Sequence, residues 1–195
     1  MPEIIKEFSQ VEYLTVFNAI LFGYVGAEFF QGWGNMIRSR KNLKNYWQHI
    51  LWTVLMFTLF IQNWYGIWPR IEFINVSVFY FLFSLAPIFI FHIISVILFP
   101  DFTNSENYDL KKYYFENIKY VYLLFGGYLL LAILNSFVYP DIGDVFLQSL
   151  IRLFGLVLCL LAVIFNKVKS VNIVFLIIGY LAVLVFLFAL PHSNT

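Results

Sequence analysis

Charge is scarce in this chain. Asp, Glu, Lys and Arg make up only 12% of 195 residues, against 62% hydrophobic, and the mean hydropathy is +0.81. A soluble domain is nearer half apolar and about a quarter charged, so the sequence reads as one that dissolves in a bilayer. The net charge of +1 makes no case for nucleic acid or an acidic substrate as partner. A single cysteine, Cys159, excludes an internal disulfide framework and any cysteine-based zinc site. Catalytic signatures are missing too. There is no G-x-S-x-G, no H-E-x-x-H, no arginine at every third position and no T-V-G-Y-G filter run. Enzymatic activity is therefore not expected, and the first helix, which lacks the features of a cleaved signal, is expected to remain.

Long apolar runs are plentiful. A bilayer core of about 30 Å needs about 20 apolar helical residues. Six stretches qualify, near 11–34, 46–68, 74–99, 118–138, 145–166 and 171–190. The expected fold is all-α: a six-helix transmembrane bundle forming one domain over 1–195, with sequential helices as antiparallel neighbours. Ser9 with Glu12, and Thr103 with Glu106, fit capping boxes. The stretch 104–118 reads as an interfacial amphipathic helix before helix four. Leu110, Tyr113, Tyr114 and Ile118 share one face, and Asp109, Lys112, Glu116 and Lys119 the other.

Basic residues set the orientation. Arg38, Arg40, Lys41 and Lys44 follow helix one, Lys111, Lys112 and Lys119 follow helix three, and Lys167 and Lys169 follow helix five. Only Lys6 and Arg70 fall on the opposite side. This bias puts the first, third and fifth connections in the cytoplasm, with both termini outside the cell's inner (cytoplasmic) membrane. Trp33 and Trp47 mark the inner boundary and Trp64 and Trp68 the outer one.

With so little charge, an ionisable side chain inside an apolar span is the natural place to look for function. Glu28, His49, His92 and Arg152 meet that description. Counting rise per residue, Glu28 and His92 lie about 10 Å from the inner ends of their helices, and His49 is near the inner end of its own. This shared depth motivates a protonatable cluster, continued outward by Asn18, Asn63, Gln148 and Arg152. Glu28 and Arg152 are close enough in depth to pair, removing two desolvation costs together. Ala19, Gly23 and Ala27 form a small-xxx-small ladder, Gly126 and Gly127 permit close approach in helix four, and Pro87 is expected to bend helix three.

Three functions fit. The first is an oligomeric channel or transporter for an ion, proton or small solute, using the polar cluster. The second is a non-catalytic membrane subunit binding a protein partner or lipid headgroups through Arg38, Arg40, Lys41 and Lys44. The third is a redox protein with His49 and His92 as axial ligands of a haem, although no cofactor or metal is expected on the first two readings. Membrane lipids and further copies of the chain are the expected partners. The charge bias makes one outcome testable at once. Alkaline phosphatase fused after Thr195 is expected to be active on the outer side, and a cytoplasmic reporter active there instead would refute the assigned orientation.

Overall fold

The first turns of the second helix carry Gln48, His49 and Thr53 among apolar neighbours, and where these polar groups go decides how the other helices arrange themselves. The computed structural model describes residues 10–67, 78–102, 108–138 and 145–189. Over them the fold is all-α, with six helices: α1 Gln10–Arg38, α2 Trp47–Ile67, α3 Val78–Leu98, α4 Leu110–Val138, α5 Val145–Ile164 and α6 Lys169–Ala189. A two-residue parallel ladder pairs β1, Leu43–Lys44, with β2, Tyr108–Asp109, Leu43 facing Tyr108 and Lys44 facing Asp109.

Three helical stretches are long and apolar enough to cross a membrane: Glu12–Arg38, Phe81–Leu98 and Leu110–Asn135. Gln148–Ile164 and Lys169–Val185 are apolar but shorter. α2 is outside both groups because Gln48, His49, Thr53, Thr58, Gln62 and Asn63 lower its hydropathy. Its side chains are nonetheless well buried, with Gln48, His49, Trp52, Thr53, Leu55 and Met56 almost wholly covered. α2 packs on α1, α3, α4 and α6, while Trp47, Ile50, Val54, Ile61 and Tyr65 keep an outward face. No Lys, Arg, Asp or Glu is buried among the described residues. The outer faces of the helices carry large apolar side chains instead, among them Ile20, Phe30, Leu82, Phe89, Leu130, Phe154 and Leu160.

Helix order around the bundle departs from a simple meander. α4 pairs extensively with α3 and most of all with α5, as antiparallel neighbours should. α1, however, packs more on α3 than on α2, while α5 and α6 touch only lightly. Small residues make the tight crossings. A Cβ on Gly126 would stand 3.4 Å from Leu156 Cδ1, and one on Gly155 3.0 Å from Leu129 Cδ1. At the α2–α6 crossing, a Cβ on Gly179 would come within 2.7 Å of Leu55 Cδ2. The ladder Ala19–Gly23–Ala27, by contrast, is exposed and turned outward, and a Cβ on Gly23 would meet nothing.

The connections after α1, α3 and α5 gather at one end. Trp33 Nε1 on α1 donates to Thr53 Oγ1 on α2 at 2.8 Å. Tyr113 OH on α4 donates to the carbonyls of Ile97 (2.8 Å) and Phe99 (3.2 Å) after α3. Asn172 Nδ2 on α6 donates to Asn166 O after α5 at 2.8 Å. The β1–β2 ladder closes this end.

One expectation needs correction. The stretch before helix four is not a separate interfacial helix. Asp109 Oδ1 accepts the N–H groups of Lys111 (2.9 Å) and Lys112 (3.1 Å), capping a helix that begins at Leu110 and runs unbroken to Val138. The amphipathic face is real, but its apolar side packs into the bundle: Leu110, Tyr114 and Ile118 are fully covered. Pro87 lies inside α3 without ending it. Ser9, Trp68, Arg70, Thr103 and Glu106 fall outside the described residues.

The glycine contrast gives a stability test. Gly32 faces the ring of Phe99, and a Cβ there would overlap ring atoms. Gly32→Ala is expected to destabilise by about 1–3 kcal/mol, the usual cost of overpacking. Gly23→Ala, with open space around it, is expected to be neutral or to gain up to about 1 kcal/mol from helix propensity. Thermal unfolding in one detergent compares the two.

Candidate functional site

Among the described residues no ion pair joins any two of the four ionisable residues singled out by depth. His49 is 1% exposed, and its ring stands edge-on to Tyr113 and Tyr114 of α4, at 6.1 and 6.3 Å. His92 turns to α1 and packs on Tyr24, 5.2 Å between centroids. Ser95 Oγ donates to the His92 backbone carbonyl at 2.7 Å rather than to the ring. Glu28 is half-buried on α1. Equal depth fixes a residue's height in the bundle but not the direction it faces: His49 faces α4, whereas His92 faces α1 at Tyr24, one turn from Glu28. The two imidazoles of the haem reading accordingly have different neighbours. No group of three or more His, Cys, Asp and Glu suited to a metal occurs among the described residues.

Arg152 also has partners other than the one expected. Its Nη1 donates to Ala132 O on α4 at 2.9 Å, and its Nη2 to Gln148 Oε1 at 3.1 Å. No ion pair joins it to Glu28; among the described residues the one ion pair is Lys112–Glu116 at 4.0 Å, exposed and one turn apart. Arg152, Gly155 and Cys159 share the α5 face that packs on α4, so the guanidinium ties two helices together. Asn18 is buried and donates to Leu14 O one turn back at 3.2 Å. Asn63 is half-buried, with Nδ2 unpaired.

Two other concentrations of polar groups stand at the ladder end. The first is internal. Trp52, fully buried, packs against Tyr122 (5.1 Å) and Phe175 (5.3 Å). Tyr122 OH donates to Asn172 Oδ1 at 2.5 Å, and Asn172 Nδ2 donates onward to Asn166 O and Val168 O. Next to it, Tyr114 packs edge-on against Tyr46 and His49. Its hydroxyl lies near Tyr46 and within hydrogen-bonding reach of Tyr122 and Trp52, though it completes no hydrogen bond of ordinary geometry among the described residues. Ten buried side-chain atoms lack a partner among the described residues, and six of them belong to Tyr46, Gln48, His49, Trp52 and Tyr114. Sequence reasoning missed Tyr46, Gln48, Trp52, Tyr122 and Asn172 as a group, because an aromatic-rich chain gives no local sign of which aromatics share a polar centre.

The second concentration is on the surface. Arg38, Arg40, Lys41 and Lys44 are all exposed, as are Lys111, Lys112, Lys167 and Lys169. The ladder sets Lys44 opposite Asp109, immediately before Lys111 and Lys112. Arg38 Nη1 donates to Asn35 Oδ1 (3.3 Å) and Arg40 Nη1 to Ile37 O (3.4 Å), which suits cations at a helix C-terminus. A guanidinium has five N–H groups, so each keeps donors to spare. The field is not uniform. Burial, then the Asp101 and Glu116 carboxylates, push the Tyr108 phenol above its ordinary value.

An apolar groove of about 470 Å³ lies between α1 and α2, floored by Ala19, Gly23, Gly26 and Ala27 and walled by aromatic side chains including Phe30, Phe57 and Trp64. Comparison with protein-family models, with curated proteins and with solved structures finds no match.

Double-mutant cycles separate the two pairings. Glu28→Gln with Arg152→Gln is expected to show a coupling below about 0.5 kcal/mol, as for independent sites. Tyr122→Phe with Asn172→Ala is expected to couple by roughly 0.5–3 kcal/mol, as residues in direct contact do. Unfolding midpoints of the singles and doubles supply both values.

Proposed function

We propose that this chain is a six-helix integral membrane protein that acts by binding through its basic end, and that its partner there is the anionic lipid surface of the inner leaflet. The observation that carries this reading is the β1–β2 ladder. It joins the connection holding Arg38, Arg40, Lys41 and Lys44 to the start of α4 with Lys111 and Lys112, all exposed. A cluster of four to eight cations at the cytoplasmic boundary is the sequence-readable form of anionic headgroup recognition, each worth about 1 kcal/mol near the surface.

Membrane embedding draws support from the three long apolar helices and from the apolar outer faces of all the helices. An exposed apolar surface of this extent is stable in hydrocarbon and a liability in water. α2 joins the bundle with Gln48, His49 and Thr53 covered by its neighbours. With the ladder end inside, both termini lie outside the inner membrane, as the basic residues require.

The transport reading has the unpaired polar groups around His49 in its favour, but His49 faces α4 while His92 faces α1. A binding protein needs no such convergence.

The test uses the full-length protein in neutral detergent. Phosphatidylglycerol is expected to raise the melting temperature where phosphatidylcholine does not. The gain should shrink in 1 M salt, where the screening length falls to about 3 Å. Replacing Arg38, Arg40, Lys41 and Lys44 by Gln is expected to remove about 1 kcal/mol of the lipid effect per residue. An equal, salt-independent response to both lipids overturns the proposal. Proton or ion flux in liposomes that depends on Glu28 and His92 would instead favour transport.

A further inference from the structure

The recess beside His49 is lined by His49 on α2, by Ile97 and Leu98 on α3, and by Tyr113, Tyr114 and Asn117 on α4, and its volume is about 10 Å³. That is the space of one water molecule, for which about 10–15 Å³ suffices. Its walls are not apolar throughout. His49 and Tyr114 are 1% and 2% exposed; among the described residues neither His49 Nε2 nor the Tyr114 hydroxyl completes a hydrogen bond of ordinary geometry, although Tyr122 and Trp52 stand within reach of the hydroxyl. Asn117, which also lines the recess, gives its Nδ2 to the Tyr113 carbonyl at 3.0 Å.

Small apolar cavities stay dry, whereas a buried water needs two to four polar partners. Packed interiors seldom leave polar groups unsatisfied without a guest to complete them. We infer that this recess is a binding site for a single water, held by His49 Nε2, the Tyr114 hydroxyl and the Asn117 amide oxygen. The water accepts from one group and donates to two others, so it bonds α2 to α4 where no direct hydrogen bond between His49 and Tyr114 exists. Tyr113 and Asn117 are only half-buried, and they give the recess its contact with the ladder-end surface. His49 is thereby a hydrated, exchangeable imidazole, whatever the basic end binds.

Water-edited solid-state NMR of the full-length, ¹⁵N-labelled protein in phosphatidylcholine liposomes tests this directly. Magnetisation from water protons is expected to reach the His49 imidazole nitrogens quickly. The control is the Asn172 side-chain amide, fully buried and committed to Asn166 O and Val168 O. Asn117→Leu places methyl groups in the recess and is expected to abolish the fast transfer to His49 while leaving the Asn172 signal in place. His49→Phe identifies the resonances by their loss, and since Asn117→Leu reads the same site the result does not depend on that variant folding. Transfer to His49 no faster than to Asn172 overturns the inference. So does fast transfer that survives in Asn117→Leu with the Asn172 signal unmoved.

Discussion

Everything in this fold depends on hiding the polar side chains of α2. Gln48, His49 and Thr53 open the helix, and Gln62 and Asn63 come near its end. In hydrocarbon each such group costs several kcal/mol if left unsatisfied. The solution is to surround α2. Thr53 accepts from Trp33 and donates to Ile50 O, Gln62 reaches Val183 O on α6, and Tyr180 OH on α6 donates to Leu51 O. One of these bonds reaches α1 and two reach α6, which is how α1 and α6 are drawn to α2. α4 and α5 associate through the close approaches at Gly126 and Gly155 and through the Arg152 guanidinium on Ala132 O.

That division explains what could be read from the sequence. Six helices, their approximate limits and the clustering of basic connections at one end follow from apolar run lengths and the placement of Lys and Arg. The contacts at the ladder end bring those connections together independently of any charge argument. Side-chain direction was not legible in the same way. Glu28, His49 and His92 share a height, but height is one coordinate of two, and the rotation of each helix is set by packing that apolar runs do not encode. The face formed by Leu110, Tyr113, Tyr114 and Ile118 illustrates a related limit. Periodicity identifies an apolar face without saying whether α2 and α3 or lipid headgroups will cover it. The cap at Asp109 was legible in principle, since an acidic residue directly before an apolar repeat is a helix start signal.

The small-residue ladder of α1 shows the same logic in reverse. Ala19, Gly23 and Ala27 have the spacing that lets helices approach closely, yet the close approaches of this chain are made at Gly32, Gly155 and Gly179. Aromatic residues decide the difference. Phe22, Phe29, Phe57 and Phe60 stack together between α1 and α2, holding the two helices apart over that stretch and leaving the groove.

The ladder between Leu43–Lys44 and Tyr108–Asp109 has a bearing on how the chain is made. Parallel strands need a long crossover between them, and here the crossover is the whole of α2 and α3. A chain growing from its N-terminus emerges with β1 long before β2 exists. The first basic connection must therefore wait, unpaired, until two further helices and the start of α4 have been synthesised. Closure of the ladder is thus a late event in assembly, and it reports that α1 to α4 have all reached their places. A nascent chain halted after α3 would carry the cations of its first connection without the strand that fixes their position beside Lys111 and Lys112.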